Sequence, residues 1–243
     1  MKILALDIET SGAVVRTFSL FKPFLSIDSI LEHPRIICWS AQWHGQRKVM
    51  FSSEHHDGRD AMLRSLHELL DEADSVVTYN GKSFDIPWIE GEFIEAGFMP
   101  PSPTEHIDLY RVIKARTKHI SGKLDYAVQR LLHERKIPHQ GIGLWNDCMN
   151  GDKKAWDLMK KYSIKDTALL IPLYEKLRPW IPNHPNVAIY NNLDFACTSC
   201  GSQSLVRQGY RITTAGKFPQ YQCKDCGRWM RDKTRVSSTE LRG

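Results

Sequence analysis

Long apolar runs are missing from this 243-residue chain. A membrane-spanning helix needs about 20 mostly apolar residues, and no stretch approaches that length. A secretory leader pattern is missing too, because Asp7 and Glu9 interrupt the apolar run that begins at Ile3. Both absences predict a soluble, cytoplasmic protein with no membrane partner. Internal repeats and low-complexity segments are also absent, which excludes a repeat array. Cysteine is scarce: there are six, and four of them fall in two Cys-x-x-Cys pairs near the C-terminus. Without a leader, such pairs point to a metal before disulfides. Cys38 and Cys148 stand in unrelated contexts and read as buried thiols.

Acidic residues are nearly lacking from the last fifth. Residues 197–243 hold nine Lys/Arg against three Asp/Glu, a net charge of +6. The remainder holds 24 basic and 25 acidic residues, close to neutral. A concentrated basic patch is the footprint of nucleic-acid binding, although solvated tails are also basic. What is present in quantity is core material, since 42% of the residues are hydrophobic. The length suits one ordinary domain with a small appendage.

Lys2 to Leu6 is a short apolar run that reads as a buried strand. Residues 12–34 lack periodicity and read as a long loop with a helical turn near Ser29. There Arg16, Phe18, Phe21, Lys22 and Phe24 either steer a nucleotide strand or clamp the loop on the core. Arg35–Trp43 and Lys48–Ser52 are expected to form an antiparallel pair around a turn at His44-Gly45-Gln46. Arg59–Asp74 has helical spacing in Leu63, Leu66 and Leu70, and Ser75–Asn80 returns as a strand. Helices follow over 86–96, 108–116 and 124–135, then a glycine-containing loop over 138–147. Residues 152–177 are helical, kinked or interrupted at Pro172. His55 and His56 fall in a loop, and His133 and His139 near a helix end; none offers a ligand set.

Three short stretches carry chemistry. In Asp7-Ile8-Glu9, alternation along a strand puts both carboxylates on one side. Two acids at the end of an apolar strand repel each other, and a hard divalent cation relieves that repulsion; two solvated surface acids are the alternative. In Asn80-Gly81-Lys82-Ser83-Phe84-Asp85, a strand-end turn delivers Asp85 either to a site or to a helix N-cap. Tyr162 and Asp166, four apart, share a helix face.

In order, spacing and neighbours, these stretches resemble the three exonuclease motifs of DEDDy-type 3′→5′ exonucleases. That group belongs to the ribonuclease H-like superfamily and includes the proofreading domains of DNA polymerases. The sister subgroup has histidine five residues before the last Asp, where this chain has Lys161; Tyr162 matches the tyrosine variant. The resemblance implies two-metal phosphodiester hydrolysis with two Mg²⁺ or Mn²⁺ ions: one activates the attacking water and the other stabilises the leaving 3′ oxygen. Asp7 would bridge both ions, Glu9 and Asp166 would hold the nucleophile-side ion, and Asp85 would act through water on the other. Tyr162 would orient the attacking water, since a phenol with a pKa near ~10 is a poor base at neutral pH. Thr10, Asn80 and Phe84 would line the substrate cleft, while Asp108 is a structural cap.

Cys197-x-x-Cys200-Gly201 and Cys223-x-x-Cys226-Gly227 resemble the two knuckles of a zinc ribbon, with one structural Zn²⁺ on four thiolates; disulfides or an iron–sulfur site are the alternatives. Around them, Arg207, Tyr210, Arg211, Lys217, Phe218, Tyr221, Arg228, Trp229 and Arg231 interleave cations with aromatics.

The expected fold is α/β: a mixed five-stranded ribonuclease H-like sheet flanked by helices, plus a small C-terminal zinc ribbon. The expected domains are 1–180 exonuclease, 181–194 proline-containing linker, 195–231 zinc ribbon and 232–243 basic flexible tail. The expected activity is that of a stand-alone 3′→5′ exonuclease on single-stranded DNA 3′ ends, with a replication or repair protein as candidate partner through the ribbon. RNA as substrate, or a non-catalytic binding module with a vestigial acidic site, are the alternatives.

Overall fold

The computed structural model describes residues 1–19, 21, 25–138 and 140–238. Lys22, Phe24, His139 and residues 239–243 lie outside the described residues. Contacts divide the chain into two compact units. One comprises residues 2–111 and 119–173; the other comprises Met1, residues 112–118 and the chain from Tyr174 onward.

The larger unit is built on a mixed sheet. Its strands are β1 (Ile3–Thr10), β4 (Ile36–Trp43), β5 (Val49–Ser53), β6 (Ser75–Thr78) and β7 (Glu105–Asp108), ordered β5-β4-β1-β6-β7. β1 pairs antiparallel with β4 and parallel with β6, so the strand bearing Asp7 and Glu9 is central. Between β1 and β4, the segment expected to be an irregular loop forms a two-stranded ladder, β2 (Val14–Val15) with β3 (Ile30–Glu32), after a 3₁₀ turn at Ile27–Ser29. Phe18 and Phe21 are exposed there, so they do not clamp the core.

Alternation along β1 assigns the sheet's two faces. Leu4, Leu6 and Ile8 pack with Met62, Leu63, Leu66 and Leu70 of α2 (Arg59–Glu72) and with Ile89 and Phe93 of α3 (Asp85–Glu95). Glu92 of α3 reaches back to accept the buried Ile36 N–H at 2.8 Å and pairs with Arg59. On the opposite face, Ile37 and Cys38 pack with Leu144 and Cys148 of α6 (Ile142–Met149) and with Trp156, Met159 and Tyr162 of α7 (Lys153–Leu177). Cys38 and Cys148 are buried free thiols, but they share this one cluster rather than unrelated surroundings.

Several local expectations change. Residues 138–147 were expected to be a loop, yet α6 begins at Ile142; Leu144 and Cys148, four apart, face the core. Gly143, Asn146 and Asp147 are weak helix formers and mask that signal. His55 and His56 sit in a short helix, α1 (Glu54–Asp57), capped by Ser53, and His55 stacks on Trp156 at 5.0 Å. Helix α4 (Leu109–Arg116) follows β7 directly. α5 (Leu124–Leu132) stops short of Arg135 because His133 turns left-handed at φ 58°. α7 continues through Pro172, although proline supplies no N–H there; the neighbouring Leu169, Leu170 and Leu173 are all buried.

Serine and threonine dock α7 on the sheet. Ser40 of β4, opposite Asp7, donates to the Ser163 carbonyl at 2.8 Å and meets the Thr167 hydroxyl at 2.6 Å. The Thr167 hydroxyl also donates to the Ser40 carbonyl at 3.1 Å. All three residues are buried. Small polar side chains here let the helix approach closely, and each hydroxyl finds a partner.

In the smaller unit, a helical turn α8 (Val187–Tyr190) precedes a three-stranded antiparallel sheet of β8 (Leu205–Thr213), β9 (Gly216–Cys223) and β10 (Trp229–Arg231), ordered β10-β9-β8. The proline segment before it is anchored: the Arg228 guanidinium donates to the carbonyls of Pro179, Ile181 and Pro182. Among the described residues, no helix is long and apolar enough to cross a membrane.

Ser40→Ala should cost about 1 kcal/mol of stability. Ser40→Leu, which overpacks the same contact, should cost about 1–3 kcal/mol. Urea unfolding reads both; wild-type stability in the two variants would refute the docking role.

Candidate active site

Strand and helix bring the acids together. Asp7 and Glu9 project from β1 toward α7, where carboxylate oxygens of Asp7, Glu9 and Asp166 lie within 4.8 Å of one another. Asp166 is fixed one residue before Thr167 of the docking contact. Asp85 opens α3 as its first residue; the cap position is Phe84, which makes no side-chain cap bond. Instead of capping, Asp85 Oδ1 accepts the backbone N–H of Ile8, between the two β1 acids, at 3.2 Å. Asp85 and Asp166 are 3% and 2% exposed, whereas Asp7 and Glu9 keep a partial opening to solvent.

The turn that delivers Asp85 is tightly built. β6 ends at Thr78, two residues earlier than expected, because Asn80 adopts φ 69°. A Cβ on Gly81 would come within 2.2 Å of Thr78 Oγ1, so glycine is required there. Asp108 accepts the N–H groups of Asn80 at 2.9 Å and Lys82 at 3.3 Å, and also those of Tyr110 and Arg111. Its cap role therefore extends to the turn beside the site. Asn80 is exposed and Phe84 is half-exposed, packing edge-on against Trp88. Thr10 lies at an irregularity in the β1–β4 register, next to Glu9.

One residue in contact with the acidic cluster escaped the sequence reading. The Lys136 ammonium lies 2.5 Å from Asp166 Oδ2, donates to the Tyr162 hydroxyl at 2.9 Å and sits 4.8 Å from that ring's centroid. Its backbone N–H is held by Asp125 at 3.1 Å, and the left-handed His133 turns the chain toward the site. Lys136 stands in an irregular stretch without periodicity. The one available signal was electrostatic: several converging carboxylates call for a cation.

Residues 34–178, more than half of the chain, match the RNase_H_2 family of the ribonuclease H superfamily. The chain belongs to the ribonuclease H superfamily. Its structure is similar to that of the family B DNA polymerase from the hyperthermophilic archaeon Pyrobaculum calidifontis. The TM-score is 0.55 at 16% identity, over 73% of this chain and 24% of the polymerase. That likeness is one of fold, and the aligned part spans about a quarter of the polymerase. No curated protein matches the chain.

The electrostatics of this ribonuclease H-like site are unfavourable without added positive charge. Burial, then the neighbouring Glu9, Asp85 and Asp166 carboxylates, hold the Asp7 carboxyl well above its ordinary range. Burial and Asp166 push Glu9 up to about 8, against the partial relief of Lys136. Burial raises Asp85 to about 7. Burial, then Glu9, Asp166 and Asp7, push the Tyr162 phenol far above its usual value, so it stays protonated. Converging hard oxygen donors that resist ionising on their own fit Mg²⁺ or Mn²⁺.

The smaller unit gathers four thiols. Sγ atoms of Cys197, Cys200, Cys223 and Cys226 lie within 4.8 Å of one another, with Cys197–Cys226 at 3.5 Å and Cys200–Cys223 at 3.7 Å. A tetrahedral zinc with Zn–S near 2.3 Å places sulfurs roughly 3.8 Å apart, so the set fits one such ion. The two knuckles match: Gly201 and Gly227 take φ 76° and 80°, and their N–H groups return to the carbonyls of Cys197 and Cys223.

Raised carboxyl values have a thermodynamic sign. Between the ordinary 4.5 and about 8, Glu9 binds more proton in the folded state than in the unfolded one. Stability is therefore greatest below that window and falls as pH rises through it. Metal-free protein should melt at progressively lower temperature from about pH 5 to about pH 8. Mg²⁺ or Mn²⁺ should raise the melting temperature more at the alkaline end, with protons released on binding. Scanning calorimetry with and without the ion tests this; a metal response independent of pH would contradict the site's charge state.

Proposed function

We propose that the chain is a metal-dependent DEDDy-type 3′→5′ exonuclease that hydrolyses single-stranded DNA 3′ ends. Residues 1–180 would form the catalytic part, 181–194 a linker, 195–231 a zinc ribbon and 232–243 a basic tail. The observation that carries this reading is the convergence of Asp7, Glu9 and Asp166 from β1 and α7, with Asp85 bonded to the backbone between the first two.

Asp7, Glu9, Asp85 and Asp166 would hold two Mg²⁺ or Mn²⁺ ions, which when bound supply an activated water and stabilise negative charge on the leaving oxygen. The chain's own groups do the rest. Tyr162, kept protonated, has a single O–H to donate and would orient the attacking water without taking its proton. Lys136 fixes the Tyr162 hydroxyl and Asp166 together, and its charge offsets part of the carboxylate repulsion. Thr10, which follows Glu9, and Asn80 and Phe84 of the turn that delivers Asp85 are the proposed contacts to the terminal nucleotides. Cys197, Cys200, Cys223 and Cys226 would bind one structural Zn²⁺, giving a small unit the stability that its limited core does not supply.

End-labelled single- and double-stranded DNA and RNA, incubated with and without Mg²⁺ or Mn²⁺, should give a metal-dependent ladder from the 3′ end of single-stranded DNA. Asp7→Ala should abolish it. Tyr162→Phe and Lys136→Ala should each lower kcat by about 10–100-fold with little change in binding. Full activity in Asp7→Ala would refute the assignment, and a ladder on RNA alone would move the substrate to RNA.

Elemental analysis should find one zinc per chain. Chelation should unfold residues 195–231, seen as loss of amide protection there, while the larger unit stays folded. A zinc-free protein with the same protection would exclude the ribbon.

A further inference from the structure

Both strands of the β8–β9 hairpin put cations on one face. Across an antiparallel ladder, directly opposed residues project to the same side. Arg207 opposes Tyr221, Tyr210 opposes Pro219, and Ile212 opposes Lys217. Arg207 and Tyr210, three apart, would normally face opposite ways. The irregularity at Gln208-Gly209 brings them into phase.

The result is a compact cluster. The Arg207 guanidinium donates to the Tyr210 hydroxyl at 2.9 Å and lies 5.2 Å from that ring's centroid, while Lys217 Nζ lies 4.3 Å from it. Two like charges at one ring repel, and among the described residues no ion pair neutralises either. Asp225 and Asp232 are the described acids of the region after Phe195, and neither pairs with these cations. Beside the cations, Tyr210 and Ile212 are 45% and 78% exposed. An apolar strip that no described residue covers, beside cations that no described acid pairs with, is suited to a ligand with both an anionic and a flat apolar part.

We propose that this hairpin face binds single-stranded nucleic acid, with Arg207 and Lys217 on phosphates and the Tyr210–Ile212 strip against bases. Charge complementarity selects a polyanion. The exposed aromatic and aliphatic strip selects one whose bases are unstacked, because paired bases in a duplex offer no free face. The proposal deepens the nuclease reading and rests on it only for the identity of the polyanion.

The test uses full-length, zinc-loaded protein carrying Asp7→Ala, without other divalent ions, and fluorescein-labelled oligothymidylate in anisotropy titrations at several salt concentrations. Arg207→Ala with Lys217→Ala should weaken binding by about tenfold or more. It should also flatten the plot of log K against log salt by about 1.4, the contribution of roughly two single-strand phosphate contacts. Lys224→Ala with Lys233→Ala removes the same charge elsewhere on the ribbon and should change affinity by less than about twofold. Ile212→Ser should weaken binding without changing the salt slope. Zinc content equal to that of the parent shows that each variant is folded. Equal losses in the two double variants, unchanged affinity in the first, or equal binding of a duplex of the same length would overturn the proposal. Because binding is read without hydrolysis, a protein that binds through this face but cleaves nothing would separate failure of the nuclease reading from failure of this one.

Discussion

Everything in the larger unit is arranged against one cost: carboxylates held together away from water repel one another and resist desolvation. Flexible loops would let the acids drift apart, so each is set on a rigid element. Asp7 and Glu9 are on the central strand, Asp85 opens α3, and Asp166 is on α7 beside the Ser40–Thr167 contact. Burial and mutual repulsion hold the carboxyls of Asp7 and Glu9 above their ordinary range, and burial does the same to Asp85. Lys136 supplies part of the missing positive charge from a segment that α5 turns inward.

The acids are not equivalent. Asp85 and Asp166 are sealed and tied to specific donors, the Ile8 N–H and Lys136, whereas Asp7 and Glu9 face an opening. In the proposed nuclease this asymmetry would give ions and substrate a direction of approach. It also explains why the protonated Tyr162 belongs here: a phenolate beside Glu9 and Asp166 would add another charge to a site already short of cations, while a phenol adds a donor.

Much of this was legible because it depends on periodicity. The strand alternation of Asp7 and Glu9 and the four-residue spacing of Tyr162 and Asp166 are local, and the mixed character of the sheet follows from short connections and hydrophobic runs. Asp85 was legible in position, but its own neighbours left a site and a helix N-cap as alternatives, and its role came only from the resemblance. A helix-opening aspartate usually caps its own helix, and only the distant Ile8 N–H redirects it. Lys136 was illegible because its place depends on a left-handed histidine and on Asp125, neither of which leaves a periodic trace. Helix α6 was hidden by weak helix formers; burial of Leu144 and Cys148, a tertiary effect, decides it.

The division of charge between the units follows from the same electrostatics. In the proposed nuclease a pocket of carboxylates would repel the phosphates of its substrate, and residues 1–196 carry no compensating excess of cations. Adding lysines around the acids would relieve the repulsion but would also occupy the carboxylates that divalent ions need, as Lys136 occupies one oxygen of Asp166. Placing the positive charge on the separate three-stranded sheet that carries the four cysteines would avoid that competition. On the proposed reading, a covalently joined cationic surface would raise the local concentration of a polyanion near the acidic unit, without any positive group having to enter the pocket. The excess cations of the last fifth and the scarcity of cations in the pocket are then two sides of one requirement.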